Sequence, residues 1–307
     1  MEKSRDTRKT FLSRNEMKKK ILITGCLGFI GRNLYASLKD RYEVFCVDCA
    51  AKPAGIQKNY FRVDLLDSKS VANFAGKVSG KHFAAVIHTA FLLCGKNDRR
   101  SFDYFRKNNL ITENMIRLLD AIKFDTLINF SSLAVYPVRN GSFSEESESN
   151  MSANTECLYG ISKFNSEMLF SFFLGGKSKV VNLRLCQVYG PGMQDDRLVG
   201  AFRKELSEKN TITVYGNGKR ISNFLHVSDL CGAVRTVLEE PVTGTYNLGC
   251  SRNISYRELA EKIISAKGDK FSKIVKVPQG SSAKAAIGTF KFEKTFKYKC
   301  KTQDFGF

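Results

Sequence analysis

The sequence predicts an α/β fold: a doubly wound parallel sheet followed by a smaller C-terminal α/β region. Three observations carry that expectation. Short apolar runs alternate with helix-period patterns along the chain, as parallel strands joined by crossover helices require. A strand, a glycine-rich turn and a helix follow one another over residues 20–38. A later apolar strand ends in Ser131-Ser132, and the carboxyl ends of strands are where ligands of open α/β sheets bind. With 307 residues there is ample core for one large domain or two modest ones.

The chain opens on MEKSRDTRKTFLSRNEMKKK, which is polar and basic and lacks the apolar centre of a signal peptide. Residues 1–17 are expected to be a disordered extension, with Met17 a candidate natural start that would make residues 1–16 an upstream addition. No run of about 20 apolar residues occurs, so no membrane span is expected. The nine cysteines follow no regular spacing and read as reduced thiols of a cytoplasmic protein. Cys46-Val47-Asp48-Cys49 is formally a C-x-x-C, but it lies at a strand end with no partner pair, so no metal or redox site is expected there.

The formal charge is +19. Residues 1–20 hold eight Lys and Arg against three acids, and residues 266–307 hold ten lysines against three acids. The two ends thus carry twelve of the nineteen excess charges, without a recognition helix, zinc module or RNP-like aromatic motif. An anionic small molecule explains the basic balance better than nucleic acid does.

The first strand, Lys20-Ile21-Leu22-Ile23-Thr24, stops at Gly25-Cys26-Leu27-Gly28-Phe29-Ile30-Gly31, and a helix runs on through Leu34 and Leu38. This is the context a dinucleotide fingerprint needs. Gly25 permits the tight turn, Gly28 lets a pyrophosphate approach the backbone, and Gly31 lets the helix pack on the strand. The helix N-terminus then offers free N–H groups to negative charge. The second strand, from Tyr42 to Val47, ends at Asp48, where a carboxylate can bind both adenosine ribose hydroxyls and repel a 2′-phosphate. NAD is therefore expected over NADP, in a Rossmann-type domain spanning residues 18–185. Residues 186–307 are expected to form mainly a substrate-binding region, with some segments returning to the first domain.

Tyr159 and Lys163, in Tyr159-Gly160-Ile161-Ser162-Lys163, stand four residues apart on one helix face. An ammonium beside a phenol favours the phenolate and lowers a pKa that is otherwise about 10, so the tyrosine becomes an acid/base near neutral pH.

The G-x-x-G-x-x-G spacing, together with this pair, resembles the extended short-chain dehydrogenases/reductases, the NAD-dependent epimerase/dehydratase family acting on nucleotide sugars. The resemblance runs from about residue 20 to the C-terminus. It implies cofactor contacts at Phe29 and Ile30 beside the glycines, and at Asp64 and Leu65 of Arg62-Val63-Asp64-Leu65, whose Asp meets the adenine in the family. Val86-Ile87-His88-Thr89-Ala90 resembles the H-x-A-A strand end, with Phe91 in place of the second alanine, and adds Thr89 and Ala90. His88 reads as structural or cofactor-adjacent rather than as a base. Asn108, with Thr112 and Asn114, resembles N-x-x-G-T-x-N with Ile111 replacing Gly, and implies support for the active-site strand.

The family places its catalytic Ser or Thr four residues before the Tyr of V-Y-G, which selects Ser132 ahead of Val135-Tyr136-Pro137. The implied catalytic set is Ser132, Tyr159 and Lys163, with Lys163 also holding the nicotinamide ribose. Arg184-Leu185-Cys186-Gln187-Val188-Tyr189-Gly190-Pro191-Gly192 resembles R-x-x-N-V-Y-G-P-G, and Gln187 keeps the substrate-facing amide one methylene longer. In Tyr215–Asp229 the family's phosphate-binding Arg falls on Ser222; Arg220, two residues earlier and on the same face if extended, is expected to replace it. A second family Arg falls near Lys284, a further candidate phosphate contact. Ser255 and Glu258 read as a capping box opening a helix.

Family dehydratases carry an acid just after the catalytic hydroxyl, whereas Leu133 and Ala134 stand here. The reading is therefore an NAD-dependent nucleotide-sugar epimerase, expected at C4, with a 4-keto-6-deoxysugar reductase as the alternative. Readings of other classes are a non-catalytic NAD-binding sensor and a nucleic-acid binder using the basic ends. The family often dimerises through the helix carrying Tyr159 and the helix after Asn108, so a homodimer is expected.

Overall fold

In the computed structural model the described residues are 18–54, 58–93 and 99–307, so the expected disordered extension over 1–17 lies outside them. The chain begins with β1 (Lys20–Thr24), buried beyond its first residue, and α1 (Phe29–Leu38), which buries Gly31, Leu34 and Leu38. β2 (Glu43–Asp48) and β3 (Tyr60–Arg62) extend the sheet to one side of β1. α2 (Ser68–Lys77) starts where the Asp67 carboxylate accepts from Lys69 N, and β4 (His82–His88) pairs with the other side of β1. α3 (Phe102–Ala121), β5 (Lys123–Ser132), the short β6 (Gly141–Phe143), α4 (Cys157–Leu174) and β7 (Lys179–Leu185) follow.

Beyond residue 185 come β8 (Gln187–Tyr189), α5 (Leu198–Lys209), β9 (Thr211–Tyr215), β10 (Ile221–Ser222), β11 (Phe224–His226) and α6 (Val227–Glu239). The chain closes with β12 (Gly244–Leu248), β13 (Ile254–Ser255), α7 (Tyr256–Lys267), β14 (Lys273–Val277), β15 (Ala285–Ile287) and α8 (Phe290–Phe296).

Seven strands form one sheet in the order β12-β7-β5-β4-β1-β2-β3, with every neighbouring pair parallel. The chain winds outward from β1 through β3, then returns to lay β4 against β1. That reversal opens a crevice at the carboxyl ends of β1 and β4, where ligands of such sheets bind. Successive residues of β1 feed opposite layers: Ile21 and Ile23 pack with Leu34 and Ile128, while Leu22 packs with Phe45, Val86 and Leu118. A third core, around Val199, Phe202, Ile212, Val214, Leu259 and Ile263, supports the C-terminal region. Three elements from that half belong to the main body: β12 extends the sheet beside β7, α6 packs on α1, and α8 packs on β12 with Phe292 and Phe296 buried in the same core.

The structure departs from the sequence reading at two places, the end of β5 and the start of α7. The apolar run expected to continue to Tyr136 stops as a strand at Ser132. There Ser132 Oγ accepts from Ala134 N at 3.1 Å and closes a 3-10 turn over Leu133–Val135, while Tyr136 is buried below. Ahead of Arg220 stands a turn over Gly216–Gly218, with Asn217 at φ 55°, and the Arg220 carbonyl accepts from Tyr256 N at 2.9 Å as the chain enters β10. At α7, Ser255 accepts from Glu258 N at 3.0 Å as a capping box requires, but the Glu258 carboxylate pairs with Arg252 at 2.9 Å. No helix among the described residues is long and apolar enough to cross a membrane.

Candidate active site

The glycine turn between β1 and α1 is shaped by close contact. Gly25 adopts φ +69°, and a Cβ there would lie 2.8 Å from the Ala90 backbone and from Thr89 Oγ1. A Cβ on Gly31 would meet the Gly25 carbonyl at 2.1 Å, so only glycine lets α1 start this close to the strand. Gly28 caps α1 without a side-chain partner, and no acid stands in the first turn. The first N–H groups of α1, flanked by Phe29 and Ile30, thus face the crevice at the positive end of the helix dipole. Thr89 Oγ1 donates to the Thr24 carbonyl at 2.7 Å and ties the end of β4 to the turn.

Asp48 closes the other side. Its carboxylate accepts from Leu27 N at 2.9 Å and from Ala50 N at 3.2 Å, so it braces the turn and sits at the strand end. Val63 N donates to the Asp48 carbonyl, which sets Asp64 beside it; the Asp64 carboxylate accepts from Leu66 N. Leu65 is buried, and its carbonyl accepts from Asn114 on α3. This cradle, closed to any side chain at Gly25 and bordered by the Asp48 and Asp64 carboxylates, fits the adenosine and pyrophosphate of NAD. Arg32, in the next turn of α1, donates from its guanidinium to the Gly192 carbonyl and joins the cradle to the C-terminal half.

The second constellation stands on β5 and α4. A Cβ on Gly160 would lie 2.3 Å from the Ala134 carbonyl. That glycine lets the start of α4, with Tyr159, press against the turn that Ser132 caps. One helical turn on, Lys163 is 4% exposed, and its Nζ donates to the Phe130 carbonyl at 2.6 Å. Nζ lies 5.8 Å from the Tyr159 ring centre and 3.6 Å from that of Phe91. Burial pulls the Lys163 ammonium down to about 7, against the attraction of Glu167. His88 is held by Thr24 at 2.7 Å, and burial, then the Lys163 charge, lowers it to about 3. It therefore stays neutral and is placed as a structural ring at the base of the site. Asn108, fully buried, pins Leu92 through both N–H and carbonyl, at 2.8 and 3.0 Å.

Beneath the pair runs a buried ionic network that the sequence reading did not single out. Glu167 receives Arg184 through two nitrogens and also accepts from Ser131 Oγ; Arg184 reaches Tyr136 Oη, which donates to Asn247. Both charges are about nine-tenths or more hidden, at 4% and 5% side-chain exposure. Glu167 lies four residues after Lys163, a same-face spacing that could have revealed it.

In the C-terminal half, Gln187 Nε2 donates to Ser222 Oγ at 2.9 Å, so two residues that depart from the family pattern partner each other. The Arg220 guanidinium lies over the Tyr256 ring at 5.3 Å. Lys284 is exposed and bridges Ile221 through its backbone. Gln187 and Lys284 thus flank β10 from its two sides, with Arg220 at its entrance. A small recess at Tyr159 is lined by Leu93, Arg99, Glu156 and Arg197. Its two arginines fall outside any motif and were not legible as site residues.

The model of the NAD dependent epimerase/dehydratase family matches residues 21–249. A dTDP-D-glucose 4,6-dehydratase of Dictyostelium discoideum is 26% identical over 272 residues, covering 80% of this chain and 62% of that protein. An uncharacterized UDP-glucose epimerase of Bacillus subtilis is 26% identical over 268 residues, covering 82% of this chain and 83% of the relative. Among solved structures, UDP-N-acetylglucosamine 4-epimerase from Methanobrevibacter ruminantium superposes with a TM-score of 0.81 at 19% identity, over 95% of this chain and 96% of that one. UDP-glucose 4-epimerase of Thermus thermophilus, in complex with NAD, gives 0.75 at 22%, over 94% and 96%. At these identities the structural likeness speaks for the fold.

Proposed function

The chain belongs to the NAD-dependent epimerase/dehydratase family, and we propose that it is a nucleotide-sugar epimerase acting at C4 with Tyr159 as its acid/base. NAD is its cofactor, and when bound supplies the hydride acceptor and donor that no side chain provides. The glycine turn, Asp48, Asp64 and Leu65 hold its adenosine and pyrophosphate, and Thr89, Ala90, Asn108 and Lys163 face its other end. Ser132 donates to the sugar oxygen. Tyr159, as phenolate, takes the proton of the C4 hydroxyl and later returns it to the same oxygen, while inversion at C4 comes from the hydrogen on carbon being given back to the opposite face of the sugar. Lys163 stabilises the phenolate and orients the ribose.

The observation that carries this reading is the close approach at Gly160, which gathers the Ser132 turn, Tyr159 and the buried Lys163 around one point. Elimination of water is disfavoured because Leu133 and the buried Ala134 offer no acid after Ser132. Arg99 and Arg197 beside Tyr159, with Arg220 and Lys284 around β10, supply cations for the phosphates of the substrate.

The test is mass spectrometry of the purified protein for retained NAD, followed by UDP-, dTDP-, GDP- and CDP-sugars without added cofactor. Epimer formation under those conditions supports the reading. Turnover of a 4-keto sugar only with added NADPH would replace it by the reductase. A homodimer is proposed through α3 and α4, where Leu110, Met168, Phe172 and Phe173 are exposed at 38–79%. Sedimentation of the wild-type protein and of Phe172→Glu checks it.

A further inference from the structure

Phe91 stands where the family pattern has a small residue, three residues past the end of β4. Thr89 and Ala90 before it are pressed against Gly25, so the chain direction there is fixed and the ring is delivered onto the lysine. Its centre lies 3.6 Å from Lys163 Nζ, and it meets the Tyr159 ring edge to face at 5.8 Å and 82°. Behind the ammonium the Phe130 carbonyl accepts at 2.6 Å. The lysine is thus held by the Phe130 carbonyl and by the face of the Phe91 ring. An ammonium has no acceptor capacity and three donors; a ring face attracts it strongly once both are desolvated.

We propose that Phe91 is a positioning residue that caps Lys163, competing with the terminal ribose of NAD for its ammonium. The proposal rests on the cofactor reading above. Before NAD enters, the ring keeps the buried ammonium in place beside Tyr159. Binding of the ribose hydroxyls displaces the ring from Nζ, so part of the affinity for NAD goes into turning Phe91 aside. The adenosine and pyrophosphate, held at the glycine turn and Asp48, do not meet this ring.

The experiment is calorimetric titration of nucleotide-stripped protein with ADP, ADP-ribose and NAD, for wild type and for Phe91→Ala, Phe91→Leu and Phe91→Tyr. Phe91→Ala should bind NAD and ADP-ribose about five- to thirty-fold more tightly, the span expected for losing one desolvated cation–π contact. ADP affinity should not change. Phe91→Leu, which keeps apolar bulk without a ring face, should tighten binding by less, and Phe91→Tyr should restore wild-type values. Unchanged or weaker NAD binding in Phe91→Ala and Phe91→Leu, with ADP unaffected, would overturn the inference and leave the cofactor reading standing. Failure of wild type to bind ADP at all would defeat the cofactor reading and this inference with it. If the alanine variant does not fold, the leucine and tyrosine variants decide the question.

Discussion

Replacing Lys163 by methionine should make the protein more stable near neutral pH while removing its activity. The reasoning is linkage. Burial lowers the folded-state pKa of this lysine from 10.5 to about 7. Between those values the unfolded chain holds a proton that the folded chain does not, so wild-type stability rises with pH across the window. The cost of the buried ammonium is fully present below about pH 7 and disappears as pH rises through 10.5. At about 1.4 kcal/mol per unit the window spans at most about 5 kcal/mol. The Phe130 hydrogen bond and the Phe91 ring both favour the ammonium, so a change of about 2–4 kcal/mol is expected.

Lys163→Met keeps the length of the side chain without the charge. It leaves the Phe130 carbonyl without its 2.6 Å donor, a penalty independent of pH. The informative quantity is therefore the change in the stability gap with pH. Urea unfolding of both proteins at steps from about pH 6 to about pH 10 should show wild type gaining on the variant by about 2–4 kcal/mol. A gap that stays constant across that range would refute the claim that a charge is being held in a dry site.

Tyr159→Phe should reduce epimerisation by about two to four orders of magnitude, with retained NAD and urea midpoint unchanged; steady-state rates and mass spectrometry check both halves. Glu167→Gln should cost about 3–5 kcal/mol in urea unfolding, since it strands the Arg184 charge in a buried network. Gly31→Ala should lose NAD on gel filtration, because its Cβ would stand 2.1 Å from the Gly25 carbonyl and push the turn out of shape. Arg220→Ala should raise KM for the nucleotide sugar by about tenfold with kcat little altered, the loss of roughly one charge-assisted contact. An unchanged KM would return Arg220 to the role of a ring-packed surface cation.

How much of this was legible in the sequence follows from the range of the forces involved. The glycine turn, the parallel strands and the Tyr159–Lys163 spacing are local patterns, and local periodicity reports them directly. Ser132 was found by its place before Tyr136, but not the turn that makes it useful: its hydroxyl competes for the Ala134 N–H and ends the strand early. Two-residue alternation relates Arg220 to Ser222, but gives no sign that the Arg220 guanidinium lies over the Tyr256 ring. Gln187 and Ser222 were visible as two separate departures; that they bond each other is a contact across 35 residues. Phe91 on Lys163 and Arg184 on Glu167 are likewise products of the sheet order, which brings β4, β5 and β7 under α4. Such contacts leave no spacing behind in the chain.

Reversible oxidation at the sugar C4, with the proton handled by Tyr159, is the centre of the proposed function. The direct measurement follows a nucleotide sugar deuterated at C4 through the purified protein with no cofactor added. Interconversion of the C4 epimers with deuterium retained at C4 is expected, and none with Tyr159→Phe. Epimers formed with deuterium exchanged into water, or no interconversion of any nucleotide sugar by a protein shown to carry NAD, would contradict it.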